Sequence, residues 1–288
     1  GEYQQYKTDD AGESRELELR VVRLRKDLGV AIGKQRVADT PLNEITRADA
    51  NALRDYLLQR MKPSSVHRYI TVVRAAVNYV ITEHSLNIPN VFNGLRIKGA
   101  SATVDDRLPM SDQDLAMVRP NFDDDPVAHA LFVILTDTGA RLSEITGLEV
   151  QDVDLQERCI TIRPNGVRTL KTKGSQRTLP LSERALELLQ EHRRGKGDTQ
   201  PIFPDYARPR GRDAASAMLM KRLRRSITDK KLTMHSLRHR MKDKLRNTGC
   251  PEAISLAILG HSTNTVAANY GSGYAIEVMR EHMEKAWS

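Results

Sequence analysis

Three short segments of this chain carry residue types suited to handling a phosphate. Thr138-Gly139-Ala140-Arg141-Leu142-Ser143-Glu144-Ile145 places an arginine just after a glycine turn, at the start of a helix. A helix N-terminus already favours anions, and a guanidinium there can grip two phosphate oxygens at once. Glu144, three residues on, is in reach to orient Arg141, although the two taken alone also read as an ordinary surface ion pair. His235-Ser236-Leu237-Arg238-His239 sets an imidazole and a guanidinium on one helical face, an arrangement for moving a proton beside a clamped phosphate. His235 and His239 also have the i, i+4 spacing of zinc ligands, but the acid of an HExxH site is absent. A hydrogen-bonded structural role is expected for His239. In Leu259-Gly260-His261, Gly260 can end a helix and leave His261 on the turn beyond it. Tyr270 follows nine residues later. Each segment has a bland structural reading by itself, and the combination carries the weight.

Together these segments resemble the motifs of the tyrosine recombinase, or phage integrase, family. Thr138 to Glu144 is similar to its first arginine motif, and His235-Ser236-Leu237-Arg238-His239 to its His-x-x-Arg motif. Leu259-Gly260-His261 followed by Tyr270 is similar to its Leu-Gly-His motif and nucleophile. The likeness is strong over residues 106–288 and looser over 13–97, where the family has a helical core-binding domain. It implies an enzyme that cleaves and rejoins DNA strands through a 3′-phosphotyrosine at Tyr270. Arg141 and Arg238 would hold the nonbridging oxygens, His235 would take the tyrosine proton, and His261 would donate to the phosphate. The family's hairpin lysine, which protonates the leaving 5′-oxygen, falls within Leu170-Lys171-Thr172-Lys173-Gly174-Ser175-Gln176-Arg177. Lys171 fits that place best, with Lys173 its competitor. Tyr274 competes in the same way with Tyr270, which has the better distance from His261.

The same resemblance implies double-stranded DNA as partner, a homo-tetramer working on it, and room for accessory DNA-bending proteins. DNA contacts are expected from Lys62, Arg68 and Arg74 in the helical part, and from Lys173 and Arg177 around the hairpin. No cofactor and no metal are expected, because a covalent link conserves the phosphodiester energy and no GxxxxGK[ST] loop is present. The leading role is integration or excision of a phage or other mobile element. The alternatives are a Xer-like chromosome-dimer resolvase, a topoisomerase-like or telomere-resolving relative, and a catalytically idle DNA-binding regulator. The complete set of Arg141, His235, Arg238, His261 and Tyr270 argues against the regulator, and the small helical part argues against the topoisomerase. The chain opens on Gly1 rather than Met, which points to a missing N-terminal segment such as the arm-site-binding domain of many integrases.

These residues need elements to hold them, and 288 residues are enough for two domains. The formal net charge of +8 points to a polyanionic partner. Aromatic content of 5% disfavours a stacking platform for single strands. Between Asp205 and Arg246 there are fourteen Lys/Arg against four Asp/Glu, the pattern of either a phosphate-binding surface or a solvated helical face. Cys159 and Cys250 lie far apart without metal spacing, which fits a reducing cytosol; the resemblance implies the cytoplasm of a bacterial host, at the nucleoid. No apolar run approaches a membrane span and no signal peptide is visible.

Helical periodicity is expected over Glu13 to Leu28, Leu42 to Arg60 with Thr46 as cap, and Pro63 to about His84. Residues 13–97 are thus expected as an all-helical domain, 98–106 as a linker and 107–288 as a mixed domain; the resemblance implies that the first is core-binding and the last catalytic. In the last, Ser111 and Ser182 cap helices and Val127 to Thr136 is an apolar helix. Cys159–Ile162 and Arg177–Leu181 are strands around a Lys/Gly-rich turn. Further helices are expected over 213–228, 235–247, 251–259 and 275–286. The fold class is mainly α with a small antiparallel β-sheet. The last helix, with Ile276, Val278, Met279, Met283 and Trp287 apolar, suits either its own domain or a neighbouring subunit.

Overall fold

Thr46 opens its helix as the sequence predicts. Its hydroxyl accepts from the Asp49 N–H, while the Asp49 carboxylate accepts from the Thr46 N–H at 2.9 Å, a reciprocal cap. In the computed structural model this helix belongs to the first of two compact units, Gly1–Thr103 and Val104–Ser288. The structure describes residues 3, 5–7, 15–33, 40–100, 108–168, 176–261 and 273–288.

The first unit is built on α1 (Arg15–Ile32), α2 (Arg47–Leu58) and α3 (Pro63–Glu83). Pro63 stands at the first position of α3, where its missing N–H costs nothing. Ala50, Leu53 and Leu57 of α2 meet Val66, Ile70 and Val73 of α3 and Phe92 in one core. Leu24 and Leu28 of α1 pack against it, whereas Leu19 and Val22 stay 58% and 65% exposed. Arg47 fastens the segment after α3 by donating to the carbonyls of Val91, Asn93 and Gly94 at 2.5–3.1 Å.

The second unit is mostly helical around a small sheet. In chain order it holds α4 (Asp112–Val118), α5 (Pro126–Thr138), α6 (Leu142–Thr146), β1 (Val153–Asp154), β2 (Cys159–Ile162) and β3 (Arg177–Pro180). Then follow α7 (Glu183–His192), α8 (Gly211–Leu223), α9 (Ser236–Asn247), α10 (Glu252–Leu259) and α11 (Ile276–Trp287). The sheet order is β1-β2-β3, antiparallel throughout, with Ile160 opposite Leu179 and Ile162 opposite Arg177. Asp125 caps α5 by accepting from the Val127 and Ala128 N–H groups. From Ala130 to Thr138 every residue of α5 is buried, as expected of a helix apolar on all sides. Phe132 stacks on Phe122 with ring centroids 4.2 Å apart.

One expectation is corrected and one element is added. The helix expected over 213–228 stops at Leu223, because Arg224 turns back to donate to the carbonyls of Ile227, Asp229 and Leu232. The short strand β1, which alternation over two residues cannot announce, adds a third member to the sheet. The final helix α11 packs on its own unit, burying Met279, Met283 and Ala286. Trp287 Nε1 donates to the Asp137 carbonyl at 2.7 Å. The Asp137 carboxylate, itself buried, accepts from the Ser182 hydroxyl and from the Arg184 guanidinium.

Candidate active site

Gly139 makes the turn from which the site is built. It sits at φ +60°, and a Cβ there would come within 2.7 Å of the Met241 side chain, so glycine lets α5 end hard against α9. Arg141 then caps α6: its backbone N–H and its Nη1 both donate to Glu144, at 2.7 and 2.8 Å. Glu144 thus holds Arg141 as its spacing suggests. Only 2% exposed, Glu144 also accepts the Arg177 guanidinium at 3.2 and 2.9 Å.

The end of α10 gathers these arginines. Gly260 stops the helix at φ +60°, and the His261 N–H donates back to the Leu256 carbonyl at 2.9 Å. Helix C-termini leave carbonyls unpaired, with a partial negative charge. Here the carbonyls of Ile258, Leu259 and Gly260 each accept from a different arginine. Arg177 on β3 reaches the first at 2.8 Å, Arg238 on α9 the second, and Arg141 the third at 3.3 Å. Arg238, 4% exposed, also donates to the Gly139 carbonyl at 2.9 Å. One helix end therefore sets three guanidiniums and His261 in register.

The electrostatics follow from this crowding. Burial alone would raise the Glu144 carboxyl, but its bonds with Arg177 and then Arg141 prevail and hold it at about 2. Burial, reinforced by the charge of Arg141, lowers Arg238 to about 9. His261 is brought down to about 4 by burial, then by Arg238, Arg141, Lys242 and Arg177. At neutral pH three guanidiniums share one carboxylate beside a neutral imidazole, an arrangement that an incoming anion would relieve.

The other expected residues fall as follows. His235 caps α9 one turn before Arg238, half-buried, its ring edge-on to that of His239 at 5.0 Å. Lys171, Lys173 and Tyr270 lie outside the described residues. Lys62 and Arg68 are exposed on the first turns of α3 and Arg74 is half-buried, all in the first unit. Arg177, expected among the DNA contacts, is directed inward: all three of its nitrogens donate to Glu144 or Ile258. Among the described residues no group of three His, Cys, Asp or Glu side chains comes together as metal ligands. No helix among them is long and apolar enough to cross a membrane. Sequence reading missed Arg168, 4% exposed. It supports the site from below, donating to the carbonyls of Arg163 and Glu144 at 2.8 and 2.6 Å and to Asp152 at 3.4 Å. Nothing in its neighbours along the chain distinguishes it from a surface arginine.

A family model described as the phage integrase family matches residues 115–274. The tyrosine recombinase XerD of Corynebacterium glutamicum is 30% identical over 148 residues, 49% of this chain. The chain spans about half of that relative, 46% of its length. Among solved structures, the Tn1549 transposon integrase in complex with a circular intermediate DNA aligns over 98% of this chain and 97% of its own, at 20% identity and a TM-score of 0.69. A lambda integrase tetramer bound to a Holliday junction aligns over 92% of this chain and 76% of its own, at 17% identity and a TM-score of 0.69.

Proposed function

The chain belongs to the phage integrase family, and from that premise we propose that it cuts and rejoins DNA at a specific site through a bond between Tyr270 and a 3′ phosphate. The observation that carries this reading is the convergence of Arg141, Arg238 and His261 on one helix end, with the Glu144 carboxylate holding Arg141 there. In the reaction the Tyr270 oxygen attacks phosphorus and passes its proton to His235. The bond to the 5′ oxygen breaks, and Lys171 protonates the leaving group. Arg141 and Arg238 hold the nonbridging oxygens, where charge builds in the transition state. His261, neutral at pH 7, donates one hydrogen bond to the phosphate. A 5′ hydroxyl from a second strand then reverses these steps on a new partner.

Strand exchange between two duplexes needs four cleavages, so four copies act together, an arrangement supported by the lambda integrase tetramer of like fold. The first unit, with Lys62 and Arg68 exposed, is the core-binding domain and the second the catalytic one. The work is done in the bacterial cytoplasm, on the nucleoid. The transposon and phage integrases of like fold support a mobile-element integrase, and the XerD relative supports a chromosome-dimer resolvase.

One experiment tests the chemistry and separates the roles. Sheared DNA of the source cell is incubated with the protein, denatured, and the DNA that stays covalently attached is sequenced. The unaltered protein should retain DNA with one recurrent junction, at element ends for an integrase or at a single chromosomal site for a resolvase. Tyr270→Phe should bind duplex yet retain nothing after denaturation. Retention by Tyr270→Phe at the unaltered level would move the nucleophile elsewhere, to Tyr274 first.

A further inference from the structure

Arg177 takes no part in the reaction above, yet it joins both halves of the site. Its Nη1 and Nη2 donate to the two oxygens of Glu144, and its Nε donates to the Ile258 carbonyl, 81 residues away in sequence. The same guanidinium lies where a Cβ on Gly260 would stand, so arginine and turn are fitted to each other. Its backbone is pinned in β3 opposite Ile162. We propose that Arg177 is a positioning residue, which locks the Arg141–Glu144 pair to the turn that carries His261. This rests on the recombinase reading and adds a residue to its machinery.

Three features give the lock its form. A guanidinium can face a carboxylate with one edge and a carbonyl with another, whereas an ammonium is a point charge that serves one of them well. Arg177 comes from the sheet, while its partners come from α6 and α10, so it ties three separate elements. All three of its guanidinium nitrogens donate within the protein, to Glu144 and Ile258. Without it, Glu144 keeps Arg141 but loses its own link to α10, and the single bond from Arg141 to the Gly260 carbonyl, 3.3 Å long, is left to hold Arg141 beside His261. A displacement near 1 Å at a reacting centre costs about 10²-fold in rate.

The test is single-turnover adduct formation on a nicked duplex carrying the junction recovered above, with duplex binding and thermal melting measured on the same proteins. Arg177→Ala should bind within about threefold of the unaltered protein and form adduct about 10²-fold more slowly. Arg177→Lys, which keeps the charge and folds alike, should be slowed about tenfold, an intermediate loss. In a Glu144→Gln background, Arg177→Ala should add little, because both changes break the same lock. An unaltered rate in Arg177→Lys would overturn the proposal, as would losses that multiply in the double variant. A rate that falls only as binding falls would overturn it too. If Arg177→Ala does not fold, the Arg177→Lys rate decides alone. Absence of any adduct with the unaltered protein would defeat the recombinase reading itself, and this proposal with it.

Discussion

Glu144 and His261 give the molecule a pH dependence that can be worked out at the scale of single residues. Burial would push the Glu144 carboxyl up, but Arg177 and then Arg141 bring it from 4.5 to about 2. A carboxyl lowered on folding stabilises fully above its unfolded value and loses that contribution as pH falls towards its folded value. The window is therefore about pH 4.5 to 2, and the loss is about 3 kcal/mol. His261, lowered from 6.5 to about 4 by burial and then by Arg238, acts in the same direction but earlier, between about pH 6.5 and 4. Melting temperatures taken across this range should fall in two stages. His261→Gln should flatten the upper stage and Glu144→Gln the lower, and a His261→Gln profile that tracks the unaltered one down to pH 4 would refute the assignment. Arg141, Arg238 and His261 are legible in the sequence because their motifs are local. The roles of Arg177 and Arg168 are not, because their partners Ile258 and Glu144 lie 81 and 24 residues away and no spacing rule reaches that far.

At the scale of elements the helix starts are the most legible feature. Thr46, Ser111 and Ser182 cap through bonds that span three residues, so type and position suffice. Ends set by distant or irregular bonds escape, as with α8, which Arg224 cuts short. For α11 the apolar stripe does not say which surface it meets, since the same stripe suits its own unit or a neighbour. The structure seats it on its own unit through Met283 and the bond from Trp287 to the Asp137 carbonyl. Trp287→Ala should therefore cost about 2 kcal/mol, roughly 4–8 °C in melting temperature for a unit of this size. Trp287→Phe, which keeps the ring and loses the donor, should cost about half as much. An unchanged melting temperature in Trp287→Ala would mean that α11 is not seated there.

For the whole molecule, the net charge of +8 invites a count of basic residues that the structure revises. Several arginines between Asp205 and Arg246 are engaged inside the protein. Arg222 pairs with Asp124 and Asp125, Arg240 with Asp112, and Arg238 serves the site. Fewer positive charges of that segment stand clear of carboxylates than the sequence suggests, and Lys62 and Arg68 of the first unit are exposed. Lys62→Ala with Arg68→Ala should reduce the slope of log K against log salt by about 1.8, at about 0.9 for each phosphate that is no longer neutralised. Arg222→Ala should leave the slope alone and lower the melting temperature instead; the opposite pattern would restore the basic segment as the DNA surface. The bond from Trp287 to Asp137 matters in another setting as well. Its ends are 150 residues apart, and a ribosome adds roughly 5–20 residues each second. For about 8–30 s of synthesis the turn leading to Arg141 exists without its last support, so a nascent chain carries the arginine before it carries the grip.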